Sequence, residues 1–339
     1  MPAHSLLDDL SEEERRLLRP ATARSPKPML ATLTDTPFSD PAWMYERKLD
    51  GERCLGLRDG AEARLLSRSG QTLTATYPEA ADALAHQPCH DFLVDGEVVA
   101  FEGTRTSFTR LQQRLGVTDE NQARASRIAI TYYVFDLLRL DGKDLTGLPL
   151  RTRKALLRRA LTYASPLRFT PHRNSTGETY LHQACERGWE GLIAKRADST
   201  YMSRRSTDWL KFKCGHRQEL VIGGFTEPRG QRVGFGALLV GHYEGRRLVY
   251  AGKVGTGYDR NTLTRLRKRL DSLERDDQPF AGDDVRERGA HWIRPELVAE
   301  IGFTEWTGDG KLRHPRYLGL RTDKPADQVV REWPRGGKG

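Results

Sequence analysis

Apolar and polar positions divide the chain into three textures. In residues 5–18, SLLDDLSEEERRLL, Leu6, Leu7, Leu10, Leu17 and Leu18 recur at helical spacing. Ser11 three positions before Glu14 forms a candidate capping box, so one or two short helices are predicted there. The stretch RPATARSPKPMLA reads as a linker or an extended lead-in. From Trp43 to Lys213, short β-rich runs (YERKLDG, RCLGLRD, ARLLSRSG, FLVDGEVVAF, IAITYYVFDLL, GLIAKR, WLKFK) are interrupted by two helical patterns, SFTRLQQRL and LRTRKALLRRAL. Phe108, Leu111 and Leu115, then Leu150, Leu156, Leu157 and Leu161, give each helix an apolar inner face.

This middle texture predicts an α+β domain built on largely antiparallel strands. After Cys214 the runs QELVIGGFT, GFGALLVGHY, RRLVYAGKV and PELVAEIGFTEWT are separated by Gly-rich turns, with one basic helix, RNTLTRLRKRLDSLE. Short strands with a single inserted helix predict a small β-barrel of the oligonucleotide-binding (OB-fold) kind. The expected organisation is a helical and linker segment over 1–27, an α+β domain over 28–214 and an OB-fold domain over 215–335, with the tail PRGGKG frayed.

Composition agrees with two domains, because 339 residues exceed what one core usually serves. Lys and Arg total 55 against 46 acids, a net charge of +9. That excess favours a polyanionic partner, nucleic acid first, although it also serves solubility. Cys54, Cys89, Cys185 and Cys214 show no CxxC pair. Neither a zinc site nor a disulfide framework is expected from their spacing, and they read as free thiols in a reducing compartment. The N-terminus lacks an apolar signal core, and no apolar run approaches the roughly 20 residues of a membrane span. A cytoplasmic protein without membrane attachment is expected.

Candidate chemistry begins at Lys48-Leu49-Asp50-Gly51-Glu52-Arg53. Alone, a lysine before Asp-Gly is also what a solvated hairpin edge looks like. Its companions change the picture. Ser67-Arg68-Ser69-Gly70, Asp95-Gly96-Glu97, Tyr133-Val134-Phe135-Asp136, Glu190-Gly191-Leu192-Ile193-Ala194-Lys195, Trp209-Leu210-Lys211-Phe212-Lys213 and Arg321-Thr322-Asp323-Lys324 follow in order. The set resembles the ordered motifs of the covalent nucleotidyltransferases, the superfamily of DNA ligases, RNA ligases and mRNA capping enzymes. The phrases PMLA, SFTRLQQR, FDLLRLDGKDL, GWEGLIAKR, VIGGFTEP, KVGTGY and YLGLRTDKPADQVVRE are most similar to the ligase component of bacterial non-homologous end-joining ligases. The resemblance spans 28–331, and the component is expected to be free-standing, without a fused polymerase or phosphoesterase domain.

The resemblance implies an ATP-dependent DNA ligase in which Lys48 forms a lysyl-AMP intermediate. A lysine attacks phosphorus only when neutral, and an ordinary pKa of about 10.4 leaves roughly one in a thousand neutral near physiological pH. Arg53, Lys211, Lys213 and a bound metal would favour the neutral form and stabilise charge on the α-phosphate. By resemblance, Glu190 places Mg²⁺ or Mn²⁺, and Glu97 serves the metal or the ribose. Asp95-Gly96 could instead be a tight hairpin turn between two apolar runs. Phe135 and Ile193 are expected to sandwich the adenine while Glu46 marks its exocyclic amine, though both apolar residues could be ordinary core. Arg68 and Arg205 are expected at phosphate or ribose, though each could be a surface arginine. Arg321 and Lys324 are expected to orient the pyrophosphate leaving group when the barrel domain closes.

The basic segments Arg151 to Arg159, Arg204-Arg205 and Arg260 to Arg269 are candidate contacts to DNA phosphates, or solvated faces. Implied partners are nicked or broken duplex DNA, the bacterial Ku end-binding protein and a separate end-processing polymerase, with the ligase a monomer near the nucleoid. An RNA ligase, a GTP-using capping-type enzyme and a catalytically inactive nucleic-acid-binding protein remain open alternatives. An NAD-dependent ligase is disfavoured because its C-terminal modules and cysteine zinc site have no counterpart. No P-loop string GxxxxGK[ST] is present.

Overall fold

A computed structural model describes residues 5–22, 27–228, 230, 232–282, 285–322 and 324–332. Asp323 and the tail expected to fray lie outside the described residues. The chain forms two compact units that divide between Cys214 and Gly215.

In the first unit the strands are β1 (Leu30–Leu33), β2 (Trp43–Arg47), β3 (Glu52–Asp59) and β4 (Glu62–Ser67), followed by helix α1 (Pro78–Ala85). Then come β5 (Asp91–Glu102), β6 (Ile130–Leu140), α2 (Leu150–Ala160), β7 (His172–Asn174), α3 (Gly177–Glu186), β8 (Gly191–Arg196) and β9 (Arg205–Lys213). They make two sheets. One orders Arg19–Pro20, Lys143–Asp144, β6, β5, β3 and β4; the other orders β7, β2, β8, β9 and β1. Pairing is antiparallel except between β9 and β1 and between Leu167–Phe169 and β6.

Alternation along the first sheet gives it two apolar faces. Cys54, Val94, Val98, Tyr132 and Val134 pack outward against Leu84 of α1 and Leu156 and Leu157 of α2. Leu55, Leu57, Leu93 and Phe135 point inward and cluster with Met29, Tyr201 and Trp209. This second cluster joins the two sheets, as period-two alternation requires of a sheet covered on both sides.

The N-terminal segment is more than a lead-in. Ser11 and Glu14 form the expected reciprocal cap, but Leu7 and Leu10 are buried in the main core, and Arg19–Pro20 pairs with Lys143–Asp144 at the sheet edge. The helix expected over SFTRLQQRL shrinks to Phe108–Leu111. Gln113 and Arg114 donate to the carbonyls of Arg110 and Leu111, three residues back, so the turn tightens instead of propagating. The buried Arg114 side chain then holds Glu79 and the carbonyls of Thr76 and Ile128. Asp95-Gly96 is no hairpin; both residues sit inside β5, paired on both sides.

The free-thiol reading holds for Cys54 and Cys89 and fails for the other two, because Cys185 and Cys214 are joined in a disulfide. Their separation of 29 residues hides the reason: α3 ends beside the end of β9, bringing the Cα atoms to 5.2 Å.

The second unit is an OB-fold barrel. Strands β10 (His216–Thr226), β11 (Leu238–Glu244), β12 (Arg247–Val254), β13 (Ala290–Ile293), β14 (Val298–Phe303) and β15 (Arg316–Arg321) belong to one sheet. Strand β10 pairs with β11 and β14, β11 with β12, and β14 with β15. A parallel bridge between Thr256 and Arg316 closes the ring. Helix α4 (Arg260–Asp271), capped by Asp259, inserts Leu263, Leu266 and Leu270 into the barrel core. Among the described residues no helix is long and apolar enough to cross a membrane.

Candidate functional site

Lys48 directly follows the end of β2 in one sheet, and four residues later the chain begins β3 in the other. The Lys48-to-Gly51 segment is therefore the crossover between sheets, not the tip of a hairpin. Its backbone is held by a bond from Lys48 N to the Gly191 carbonyl, 2.9 Å. Gly51 is required by close approach: a Cβ there would lie 2.1 Å from the Val98 carbonyl oxygen. The Lys48 ammonium ion-pairs with Glu190, whose side chain is 6% exposed against 20% for the lysine. Gly191, next to Glu190, has φ of +145°, and a Cβ would meet the Phe212 carbonyl oxygen at 1.9 Å. Only glycine allows β8 to start there, and that start fixes both Glu190 and the acceptor for Lys48.

Strand register gathers the other candidates of the second sheet. Glu46, Ile193 and Lys211 are mutual cross-strand neighbours on β2, β8 and β9. The next row along is Met44, Lys195 and Trp209, and Gly191 faces Lys213 on the other side. Because residues two apart share a face, this side of the sheet carries a carboxylate, three lysines and an aromatic ring. Ile193, Lys211 and Lys213 are half-buried.

The opposing sheet supplies Arg53, Glu97 and Phe135. Glu97 is half-buried on β5, directly across from Arg53 on β3 and Tyr133 on β6. Arg53 makes two 2.6 Å bonds to buried Asp95 and a third to the Met29 carbonyl, 3.1 Å. Burial alone would ease the proton off this guanidinium, but Asp95 reverses that and drives its pKa upward. The Arg53 charge, expected to favour the neutral form of Lys48, is matched here by Asp95. Phe135 is buried, with Arg53 4.7 Å and Lys195 4.0 Å from its ring centre. Arg68 is half-buried in the turn after β4, whose Gly70 has φ of +86°. Arg205 is exposed at the start of β9 and donates to the Ala31 carbonyl.

Two residues that sequence reasoning missed sit at Glu46. Its carboxylate, 2% exposed, meets Lys154 at 2.5 Å and Lys195 at 2.7 Å. Lys195 stood inside a quoted motif without a role. Lys154 belonged to the segment proposed for DNA, and here that reading is corrected: Arg153 and Lys154 are buried, with Arg153 paired to Asp136 through two 2.8 Å bonds. The signal was available, since positions 150, 153, 154 and 157 of a helix lie on one face. Arg151 and Arg158 remain exposed. Arg204 and, on α4, Arg260, Arg265, Lys268 and Arg269 are exposed as well.

In the barrel unit Lys324 pairs with Glu219 at 2.6 Å, and Arg321 lies 4.0 Å from Glu300. Burial raises the Glu219 carboxyl, but Lys324 and then Arg321 outweigh it and hold the group at about 2.

Residues 28–213 match the family described as ATP dependent DNA ligase domain, and residues 231–324 match the ATP dependent DNA ligase C terminal region. The multifunctional non-homologous end joining protein LigD of Pseudomonas aeruginosa is 40% identical over 317 residues, covering 91% of this chain and 37% of that protein. The LigD repair protein of Mycobacterium tuberculosis is 38% identical over 316 residues, covering 90% of this chain and 40% of that protein. The chain therefore spans well under half the length of these relatives. A solved mycobacterial DNA ligase D, complexed with ATP and MES, is 34% identical with a TM-score of 0.65, covering 91% of this chain and 98% of that one. Its adenylation unit of facing sheets, its barrel and its ordered motifs are those of one family: the chain belongs to the ATP-dependent DNA ligases.

Proposed function

We propose that this chain seals breaks between 3′-hydroxyl and 5′-phosphate ends of DNA through a lysyl-AMP intermediate, in repair by non-homologous end joining. The observation that carries the proposal is the Lys48–Glu190 pair at the crossover between the two sheets. Residues 28–214 act as the adenylation domain and 215–335 as the OB-fold domain.

In the first step the neutral Lys48 amine attacks the α-phosphorus of ATP. A nitrogen–phosphorus bond forms, the α–β bridging bond breaks, and pyrophosphate leaves while the amine gives up a proton. AMP then passes to a DNA 5′-phosphate, regenerating the lysine, and a 3′-hydroxyl displaces AMP. Lys211 and Lys213, on the face that carries Ile193 and Gly191, are assigned to phosphate charge. Arg68 and Arg205 are assigned to phosphate or ribose. Phe135 and Ile193 enclose the base, and Glu46 accepts from its exocyclic amine. Arg53 organises the floor of the site through Asp95. Arg321 and Lys324 are assigned, on the resemblance, to the leaving pyrophosphate.

Glu97 and Glu190 would hold the divalent cation. Among the described residues no three His, Cys, Asp or Glu side chains are grouped to cage an ion. That donor set suits Mg²⁺ or Mn²⁺, held by one or two carboxylates together with substrate phosphates and water. When bound, the cation supplies charge neutralisation on the phosphates.

The DNA partner is supported by the net charge of +9 and the exposed arginines, and Ku, an end-processing polymerase, a cytoplasmic, nucleoid-associated site and a monomeric state complete the proposal. Incubation with α-labelled ATP and denaturing electrophoresis tests the chemistry: Lys48→Ala should carry no label, while sealing of a pre-adenylylated nick persists in part. Undiminished label on that variant would sink it. Sealing compared on DNA, RNA and mixed nicks decides the strand preference. Joining of linear duplexes with and without Ku tests the end-joining role, which fails if Ku brings no stimulation.

A further inference from the structure

Three charges share one buried spot on the base-binding face, and the proposed mechanism uses only one of them. Lys154 reaches Glu46 from α2, donating also to the carbonyls of Thr170 at 3.1 Å and Phe135 at 3.3 Å. Lys195 reaches it from β8 with no aligned hydrogen bond of its own, its Nζ 4.0 Å and 4.1 Å from the ring centres of Phe135 and Trp209. Both lysines are 2% exposed. Burying two ammonium groups around one carboxylate is costly, and replacing the whole cluster by apolar residues of similar volume would often cost nothing. Such an arrangement calls for a reason beyond packing.

The reason lies in what a carboxylate can accept. Ionised, it accepts only; protonated, it can also donate. Adenine presents an amino donor at its 6-position, whereas guanine presents a carbonyl there. We infer that Lys154 and Lys195 are positioning residues that keep Glu46 ionised and fixed, so that the site takes a 6-aminopurine nucleotide and refuses a 6-oxopurine one. This rests on the proposed role of Glu46 at the exocyclic amine.

The electrostatics agree with the geometry. Burial pushes the Glu46 carboxyl upward, but Lys154 and then Lys195 more than reverse it. Burial pushes Lys195 down to about 8, with Glu46 opposing and Lys154 adding. The other charged or titratable neighbours are His172 opposite Glu46 on β7, Asp136 on β6 with its partner Arg153, Tyr180 on α3 and Arg158 on α2. Burial, then Lys154, holds His172 below its ordinary value. Asp136 is already satisfied by Arg153, so neither can replace a lost lysine at Glu46.

The test measures Lys48 labelling with ATP and with GTP on the whole chain, between about pH 6 and about pH 7, where Lys195 stays mostly charged. The wild type should show a flat KM for ATP. With Lys195→Met or Lys154→Met only one ammonium remains to oppose burial, and the carboxyl should take up a proton in this range. The KM for ATP should then rise at least about tenfold at the acid end and recover at the alkaline end. The kcat should change little, and the preference for ATP over GTP should narrow at the acid end. Lys195→Arg keeps the charge and should keep the flat profile and the wild-type preference. Glu46→Gln should narrow the preference without any pH dependence. A flat, wild-type profile in both methionine variants overturns the inference, as does a pH-dependent profile in Lys195→Arg, which also decides the matter if the methionine variants do not fold. Absence of label on the wild type would instead overturn the ligase chemistry itself.

Discussion

Arg53 binds Asp95 rather than the residue placed directly opposite it. The ladder between β3 and β5 sets Arg53 against Glu97, yet its guanidinium reaches diagonally to both oxygens of Asp95, at 2.6 Å each. Asp95 is fully buried and accepts a further 2.6 Å bond from Tyr201, whose hydroxyl in turn accepts from Met29 N at 2.9 Å. Glu97 itself is half-buried on β5. Arg53→Ala should therefore act on stability first, because it strands a buried carboxylate, at a cost of about 3 to 5 kcal/mol. Arg53→Lys should recover only part, since an ammonium cannot meet both oxygens in one plane. Urea unfolding measures both; an alanine variant as stable as the wild type would refute the pairing.

Gly191 sets the start of β8, and with it the position of Glu190 and of the carbonyl that accepts from Lys48. Gly191→Ala should lower self-adenylylation by about a hundredfold or more, because both the positive φ and the contact with the Phe212 carbonyl exclude a side chain. Gly215→Ala is the control, as nothing lies within 4 Å of a Cβ there. Equal labelling of the two variants would show that the strand start is not what positions the site.

Most strands and the chemistry-bearing motifs were legible in sequence because alternation and turn residues are local signals. Lys48 gained its meaning from order along the chain, and the structure adds why it lies at a crossover between sheets. What sequence reasoning missed depended on tertiary partners. Helix α1 follows a Thr-rich turn and is half alanine, so its apolar stripe, Ala80, Ala81 and Leu84, is faint. Strand β1 is four residues long and pairs with β9, far away in sequence. Arg153 and Lys154 looked like surface charge because basic residues normally are, and only Asp136 and Glu46 make them interior.

Glu219 and Lys324 should give the barrel an acid transition of predictable sign. The folded carboxyl titrates at about 2, below its ordinary value of 4.5. Protons therefore bind the unfolded form first, so the stabilisation is complete above about pH 4.5 and is lost as pH falls toward 2. Glu219→Gln should remove that slope while leaving Lys324 with a neutral acceptor. Chemical unfolding of the whole chain at stepped pH values checks this, and an unchanged slope in the variant would assign the acid sensitivity elsewhere.

Cys185 and Cys214 tie the end of α3 to the end of β9, next to the backbone bond from Cys214 N to the Glu190 carbonyl, 3.0 Å. A covalent link across 29 residues should stabilise the first unit by about 3 to 4 kcal/mol if it acts mainly on the unfolded chain. Alkylation under denaturing conditions, followed by mass measurement, reads the pairing directly. Without reductant only the free thiols Cys54 and Cys89 should be modified, and with reductant all four. Modification of all four without reductant would mean the bond does not form in the isolated protein. Because both sulfurs lie outside the groups assigned to ATP, Cys185→Ser should lose stability while keeping Lys48 adenylylation well below its melting point. Parallel loss of labelling in the still-folded variant would show that the tie also holds Glu190 in place.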